Sequence, residues 1–534
     1  MKDVLVYDTT LRDGCQAEQV AFSVPDKLRV AHALDDLGVD FIEGGWPNET
    51  SPRDREFFAA ARDHAWHSAL LAAFGSTRRG GRPAEDDPQL QQLVASGAPV
   101  ITIFGKSWTL HATEILRVST EENLAMIEDS VAWLLAQGRR VFFDAEHFFD
   151  GYRADSAYAL ETLRAAQRGG AEALILCDTN GGSLPHQVSE ITARVTAEFT
   201  GPLGIHTHND AGMADSNTLA AVLAGVTQVQ GTINGYGERA GNANLCTVLP
   251  NLELKLGRRC LPEGKLAELT YTSLYVGELA NLPPNSRLPY VGRSAFAHKG
   301  GMHINAVLKN PLSFEHVPPE SVGNERRILV SDQSGRSTIL HKLQNLYPDL
   351  QRDDPLVETI LAEVKQRENQ GYEYEAADAS LALLARRLRG ELPELFRLAG
   401  FRVMVVKHHE EDTPVSEATI KIVVQGELEH TAAEGNGPIN ALDAALRKAL
   451  RPQYPELDKM ELVDYKVRVL EATQGTATVV RVMIQTTDGE ETWGTVGVHE
   501  NILQASWEAL VDSIVYGLYK HRYQNGAALP ASHA

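Results

Sequence analysis

Two polar segments carry side chains able to chelate a hard cation: Asp8-Thr9-Thr10-Leu11-Arg12-Asp13-Gly14 near the start, and His206-Thr207-His208-Asn209-Asp210 far downstream. Each follows a short apolar run, Val4–Tyr7 and Leu203–Ile205. His206 and His208 stand two positions apart in an extended segment, so both imidazoles leave the same side of the strand. With Asp13 they make a two-histidine, one-carboxylate set that leaves coordination positions open for substrate oxygens. The amide oxygen of Asn242 is a candidate fourth ligand. Mixed nitrogen and oxygen donors suit Mg2+, Mn2+ or Zn2+ better than a thiolate-preferring ion, and such an ion polarises the carbonyl of a chelated 2-oxo acid. Arg12 offers a fixed positive charge to the oxygen on which negative charge develops; the structural alternative is an ion pair with Asp8. Glu146 is a candidate base or orienter of a base, and the Thr179 hydroxyl a candidate for holding a substrate carboxylate.

These residues need a scaffold that gathers strand ends. Apolar runs at Val4–Tyr7, Val39–Ile42, Ala69–Phe74, Val100–Phe104, Arg140–Phe143, Ala173–Cys177, Leu203–Ile205 and Val226–Gly231 alternate with helix-patterned segments. Eight strand–helix units in roughly 240 residues predict a (β/α)8 TIM barrel, whose chemistry sits where the strands end. Polar residues cluster at that end: Glu43, Ser76 to Arg79, Lys106, Asp144 with Glu146, Asp178 with Thr179, and Asn234 through Asn242. The opposite turns, such as Asp36-Leu37-Gly38, carry ordinary loop residues.

The barrel is expected over 1–265. A helical linker region over 266–395 holds Ala295-Phe296-Ala297-His298-Lys299-Gly300-Gly301-Met302-His303. From 396 to 522 strand patterns at Phe401–Val406, Thr419–Val424, Leu462–Leu470, Ala477–Thr486 and Glu491–Val498 are punctuated by helices at Pro438–Ala449 and Ile502–Leu518. This predicts an α+β domain with an internal duplication, suited to dimerisation with a ligand site between its halves. Residues 523–534 form a tail. The overall class is therefore α/β, with an α+β C-terminal domain.

At 534 residues the chain exceeds what one core serves. A net charge of −21 argues against general nucleic-acid or anionic-membrane binding. The four cysteines form no C-x-x-C pair, and there is no apolar stretch long enough to span a bilayer and no basic leader, so a cytoplasmic protein is expected.

The two opening segments, together with Gly235-Tyr236-Gly237-Glu238-Arg239-Ala240-Gly241-Asn242, resemble the signatures of the 2-isopropylmalate, homocitrate and citramalate synthase family of metal-dependent TIM-barrel acyltransferases. The resemblance continues through Ala295–His303 and Tyr372–Ser380 into Glu434-Gly435-Asn436-Gly437-Pro438, which is similar to the family's C-terminal regulatory domain. Gly44-Gly45-Trp46-Pro47 and Phe104-Gly105-Lys106-Ser107-Trp108 resemble the pyruvate-using branch. The resemblance implies condensation of acetyl-CoA with pyruvate and thioester hydrolysis, giving (R)-citramalate and CoA on a threonine-independent route to isoleucine. The alternative within the family is 2-isopropylmalate synthesis from 2-oxoisovalerate. Cys15 stands where the family form reads Arg-Asp-Gly-Glu-Gln, a departure that bears on pocket shape.

By resemblance, Asp13, His206, His208 and Asn242 bind the divalent ion, Arg12 stabilises the keto oxygen and Thr179 contacts the substrate carboxylate. Glu146 and His303 handle protons, His303 reaching the barrel of a second subunit in a homodimer. Isoleucine is the implied feedback effector, bound near Gly435, Asn436, Gly437 and Pro438 and near Gly494–Asn501. Arg78, Arg79 and Arg82 are the nearest cationic cluster for CoA phosphates, with a solvated loop as the alternative. A metal-dependent aldolase or thioester lyase is the rival enzyme, and a mononuclear iron oxygenase a poorer fit to this scaffold. An amino-acid sensor with a dead barrel would require lesions in the site, and none is visible.

Overall fold

The computed structural model describes residues 2–344, 346–407, 409–411, 413–470 and 478–524. They form two compact units, Met1–Phe296 with His316–Arg326, and Ala297–Glu315 with Arg327–Ala534. The linker region expected over 266–395 is thus divided between the two. The tail lies, from residue 525 on, outside the described residues, as does Ala477.

In the first unit eight parallel strands close in sequence order: β1 (Leu5–Asp8), β2 (Phe41–Gly45), β3 (Leu70–Ser76), β4 (Val100–Lys106), β5 (Arg140–Glu146), β6 (Ala173–Asp178), β7 (Leu203–Thr207) and β8 (Gln228–Gly231). Closure sets Tyr7 of β1 opposite Gln230 of β8. Most strands run further than their apolar runs, taking in Asp8, Glu43, Lys106, Asp144, Glu146, Asp178 and Thr207. The parallel ladder satisfies their backbone groups, so polar side chains are carried into the barrel mouth without breaking the strands.

Local chemistry sets the helices between. Ser23 accepts from the Asp26 N–H at 3.3 Å while the Asp26 carboxylate accepts from the Ser23 N–H at 3.2 Å, a reciprocal cap with Pro25 in the first turn of Val24–Leu37. That helix ends at Gly38, whose φ of 90° favours glycine.

The barrel interior is layered. Tyr7, Phe41, Ala72, Val100, Phe142, Ala173, Ile175 and Cys177 pack as one buried cluster, with the Phe41 and Phe142 rings edge to face at 5.0 Å. Two residues further along β2, β4 and β5, on the same face, stand Glu43, Thr102 and Asp144, and Gln230 of β8 is in register with Tyr7; all four are buried. Tyr7 joins the layers, its hydroxyl donating to Glu43 Oε2 at 2.8 Å and lying 2.8 Å from Thr102 Oγ1.

The second unit contains two three-stranded antiparallel sheets. The first is β9 (Arg397–Val406), β10 (Val415–Val424) and β11 (Glu427–Gly435), followed by the helix Pro438–Leu450; the second is β12 (Glu461–Val469), β13 (Val480–Thr487) and β14 (Thr492–His499), followed by Ile502–Tyr519. This is the anticipated duplication. The sequence reading missed β11 because its apolar residues are few. Its signal was the hairpin turn at Gln425 and Gly426, where φ is 51° and 88°. No described helix is long and apolar enough to cross a membrane.

Candidate active site

β7 projects His206 and, just past its end, His208; the loop after β1 supplies Asp13. β1 and β7 both flank β8, so barrel closure brings together residues that are distant in the chain. His206 Nε2 lies 3.1 Å and His208 Nε2 3.9 Å from Asp13 Oδ2, and the two Nε2 atoms are 3.2 Å apart. All three residues are buried. Gln230 faces His206 Nδ1 at 2.9 Å, which places the proton on Nδ1 and turns the Nε2 lone pair toward the cluster.

Asn242 reaches the cluster through a bridge between His208 and Asn242. Its Nδ2 donates to Asp13 Oδ2 at 2.8 Å and lies 3.3 Å from His206 Nε2, so the amide nitrogen, not the oxygen, faces Asp13 and His206. Asn242 Oδ1 is buried without a hydrogen-bond partner. A Cβ on Gly237 would sit 1.9 Å from that oxygen, so only glycine leaves room for the amide.

The donor set fits a divalent cation. Two imidazole lone pairs and a carboxylate oxygen crowd into one buried point, a repulsive arrangement unless something positive lies between them. Burial raises the Asp13 carboxyl, but Arg12, then His206 and His208, outweigh it and hold it well below the usual carboxylate range. Burial, then the neighbouring His206, push His208 down to about 3. Both effects favour the deprotonated forms of Asp13 and His208, whereas His206, lowered by burial, is raised overall by its contact with Asp13 and the charge of Asp144.

Arg12 does not pair with Asp8, whose carboxylate accepts instead from the Thr10 amide at 2.8 Å and its hydroxyl at 2.9 Å. The Arg12 Nε donates to Glu43 Oε1 at 2.5 Å and Nη1 lies 3.3 Å from Asp13 Oδ1. Its guanidinium sits 3.7 Å over the Phe74 ring. Three contacts hold the cation beside the ligand set while Nη2 makes no hydrogen bond among the described residues.

Glu146 ends β5 and pairs with Lys106 at the end of β4. Thr179 follows β6, and its Oγ1 accepts from the His147 N–H at 2.9 Å, leaving the hydroxyl proton available. Arg239 binds Asp210 at 2.7 and 3.0 Å and the Thr179 carbonyl at 2.8 Å, tying together the loops after β6, β7 and β8. Glu43, Gln230, Lys106 and Arg239 carried no role in the sequence reading. Their signal was polarity at strand ends, or within an otherwise apolar strand for Gln230.

Arg78 is not available to a phosphate: it is buried, with Glu122 and Asp129 each at 2.8 Å. The Cys15 thiol is engaged by the Leu11 carbonyl at 3.3 Å. In the second unit, His303 is exposed on the helix Gly301–Lys309, its ring stacked on Phe314 at 4.2 Å. Gly435–Pro438 lead from β11 into the helix Pro438–Leu450. That helix and β12 line a cavity of about 500 Å3 with Ile439, Asn440, Asp443, Arg447, Glu461 and Tyr465.

A chain with this site can be set beside known proteins. The HMGL-like family matches residues 3–276, the homocitrate synthase post-HMGL domain-like family 290–372, and the LeuA allosteric (dimerisation) domain 375–518. An (R)-citramalate synthase of Geobacter sulfurreducens is 52% identical over 99% of this chain and 100% of that one. One from Aquifex aeolicus is 51% identical over 97% of this chain and 98% of its own. The chain belongs to the citramalate synthase family. A probable 2-isopropylmalate synthase of Methanopyrus kandleri is more distant, 31% identical over 96% of this chain and 97% of its own. Family membership and the convergence of Asp13, His206 and His208 agree on a metal-dependent barrel enzyme.

Proposed function

We propose that this chain is an acyltransferase that condenses acetyl-CoA with pyruvate and hydrolyses the thioester, giving (R)-citramalate and CoA. The observation that carries the reading is the meeting of Asp13, His206 and His208 beside Arg12, in a chain about half identical to proteins named for that product. Asp13, His206 and His208, with Asn242 beside them, would hold a divalent ion, which supplies Lewis acidity toward the carbonyl of a 2-oxo acid.

The remaining work falls to side chains. Arg12 offers Nη protons to the keto oxygen as charge builds there, and Glu43 keeps the guanidinium from turning away. Thr179 donates its hydroxyl proton to the pyruvate carboxylate. Glu146 takes part in removing a methyl proton from acetyl-CoA; the carbanion equivalent attacks the keto carbon, and water then cleaves the citramalyl thioester. Proton removal is the demanding step, because a thioester methyl is a weak acid.

His303 is the second proton-handling residue in this reading, serving the barrel of a second copy in a homodimer; its exposure and the match to a dimerisation domain support this. Mixing Glu146→Gln and His303→Ala chains should restore activity neither has alone, and no restoration removes the shared site. Isoleucine is the proposed effector of the C-terminal domain, acting in a reducing, cytoplasmic setting.

Thiol release from acetyl-CoA with pyruvate, 2-oxoisovalerate or 2-oxoglutarate, with and without chelator and isoleucine, tests the whole reading. Pyruvate should be preferred and chelator should stop release. Preference for 2-oxoisovalerate would convert the assignment to 2-isopropylmalate synthesis.

A further inference from the structure

Lys106 and Glu146 end neighbouring strands in direct register, so their side chains leave the same face, one step above Phe104 and Asp144. Lys106 Nζ is hydrogen-bonded to Glu146 Oε2. The Lys106 side chain is 14% and that of Glu146 23% exposed, and Nζ lies 5.2 Å from the centre of the Phe104 ring. A pair so withdrawn from water differs from the freely solvated ion pairs of helix surfaces, which hold neither partner in place.

The backbone beneath is fixed as well. Buried Asn123 donates to the Lys106 carbonyl at 2.8 Å, and the Ser107 N–H donates to the Glu146 carbonyl at 3.0 Å. Directly after Glu146 the chain turns through His147, with φ of 57°, a conformation uncommon for a residue bearing a Cβ. Its N–H is the group that anchors Thr179. Lys106, Glu146 and Thr179 are thereby linked across the ends of β4, β5 and β6.

A glutamate has three rotatable side-chain bonds, and a group that moves a proton must stay within hydrogen-bond reach of it. Misplacement by about 1 Å costs on the order of 100-fold in rate. We infer that Lys106 is a positioning residue for Glu146: its ammonium transfers no proton and holds the carboxylate in the direction of the substrate methyl. This rests on the reading of Glu146 as a proton-handling group in the condensation proposed above.

Thiol release by the unaltered chain with pyruvate comes first and tests that reading alone. Lys106→Met keeps the stem over Phe104 and removes the charge. It should lower kcat by about 100-fold while leaving the pyruvate KM and the thermal midpoint near those of the unaltered chain. Lys106→Arg should recover about tenfold of that loss, since it restores the cation. Lys106→Gln carries the same expectation as Lys106→Met should the latter fold poorly. Because Lys106 acts through Glu146, the double variant with Glu146→Gln should be no slower than Glu146→Gln alone. Unchanged kcat in a folded Lys106→Met chain, a changed KM at constant kcat, or additive losses in the double variant each overturn the inference. Additive losses would mean that Lys106 acts on the substrate itself.

Discussion

Two neighbouring layers of the barrel interior, two residues apart on β2 and β5, are built from opposite materials. Below, Tyr7, Phe41 and Phe142 pack rings against one another. Above, Glu43, Asp144, His206 and Gln230 bury ionisable and amide groups. Burial of charge costs stability unless each group is paired, and the upper layer is only partly paired: Asp144 Oδ1 and Gln230 Nε2 are buried without a full hydrogen bond, although the Gln230 amide lies near enough to ease the Asp144 charge. Burial pushes the Asp144 carboxyl up to about 7. The lower layer therefore carries stability and the upper one chemistry, as befits a barrel whose reactions occur at the strand ends.

Removing a ligand from the upper layer should separate the two most sharply. His206→Ala is expected to lose bound metal and reduce turnover by more than about 100-fold, beyond the 10–100-fold typical of residues behind a ligand, while thermal unfolding stays cooperative. Metal analysis with thiol release checks this; a chain that keeps both would break the contrast. Phe142→Ala should do the reverse. It should cost about 3–5 kcal/mol in denaturant unfolding, with near-normal turnover in the fraction that folds.

Gln230→Leu sharpens the boundary, because the Gln230 amide oxygen faces the back of His206, at Nδ1. Metal affinity should fall about 10–100-fold, read by titration, with little change in stability. The smallest effect concerns pH. Burial raises Asp8 to about 7, with Thr10 opposing. Its unfolded value is about 3.9, so between those values the folded state binds the extra proton and stability falls as pH rises. Asp8→Asn should flatten that part of the melting-temperature profile, and an unchanged slope would assign it to other buried groups.

Much of the site was legible in the residues. The His206 and His208 spacing announced a shared direction, and eight apolar runs announced a barrel whose polar ends face one way. Other partners were not. The sequence offered Asp8 to Arg12, where the structure pairs it with Glu43, and Arg78 to a phosphate, where the structure commits it to Glu122 and Asp129. Residue by residue, Lys106 was a polar strand end with no assigned partner until β4 and β5 aligned it with Glu146.

What the sequence by itself determined are the features that repeat over a few residues: strand and helix periods, and the chelating side chains with their local spacing. Only the tertiary structure decided which distant groups meet, since that depends on how β1 closes against β8 and on the register of neighbouring strands. A one-residue slip would turn Glu146, Lys106 and His206 to the other face of the sheet, and no local pattern records that alignment.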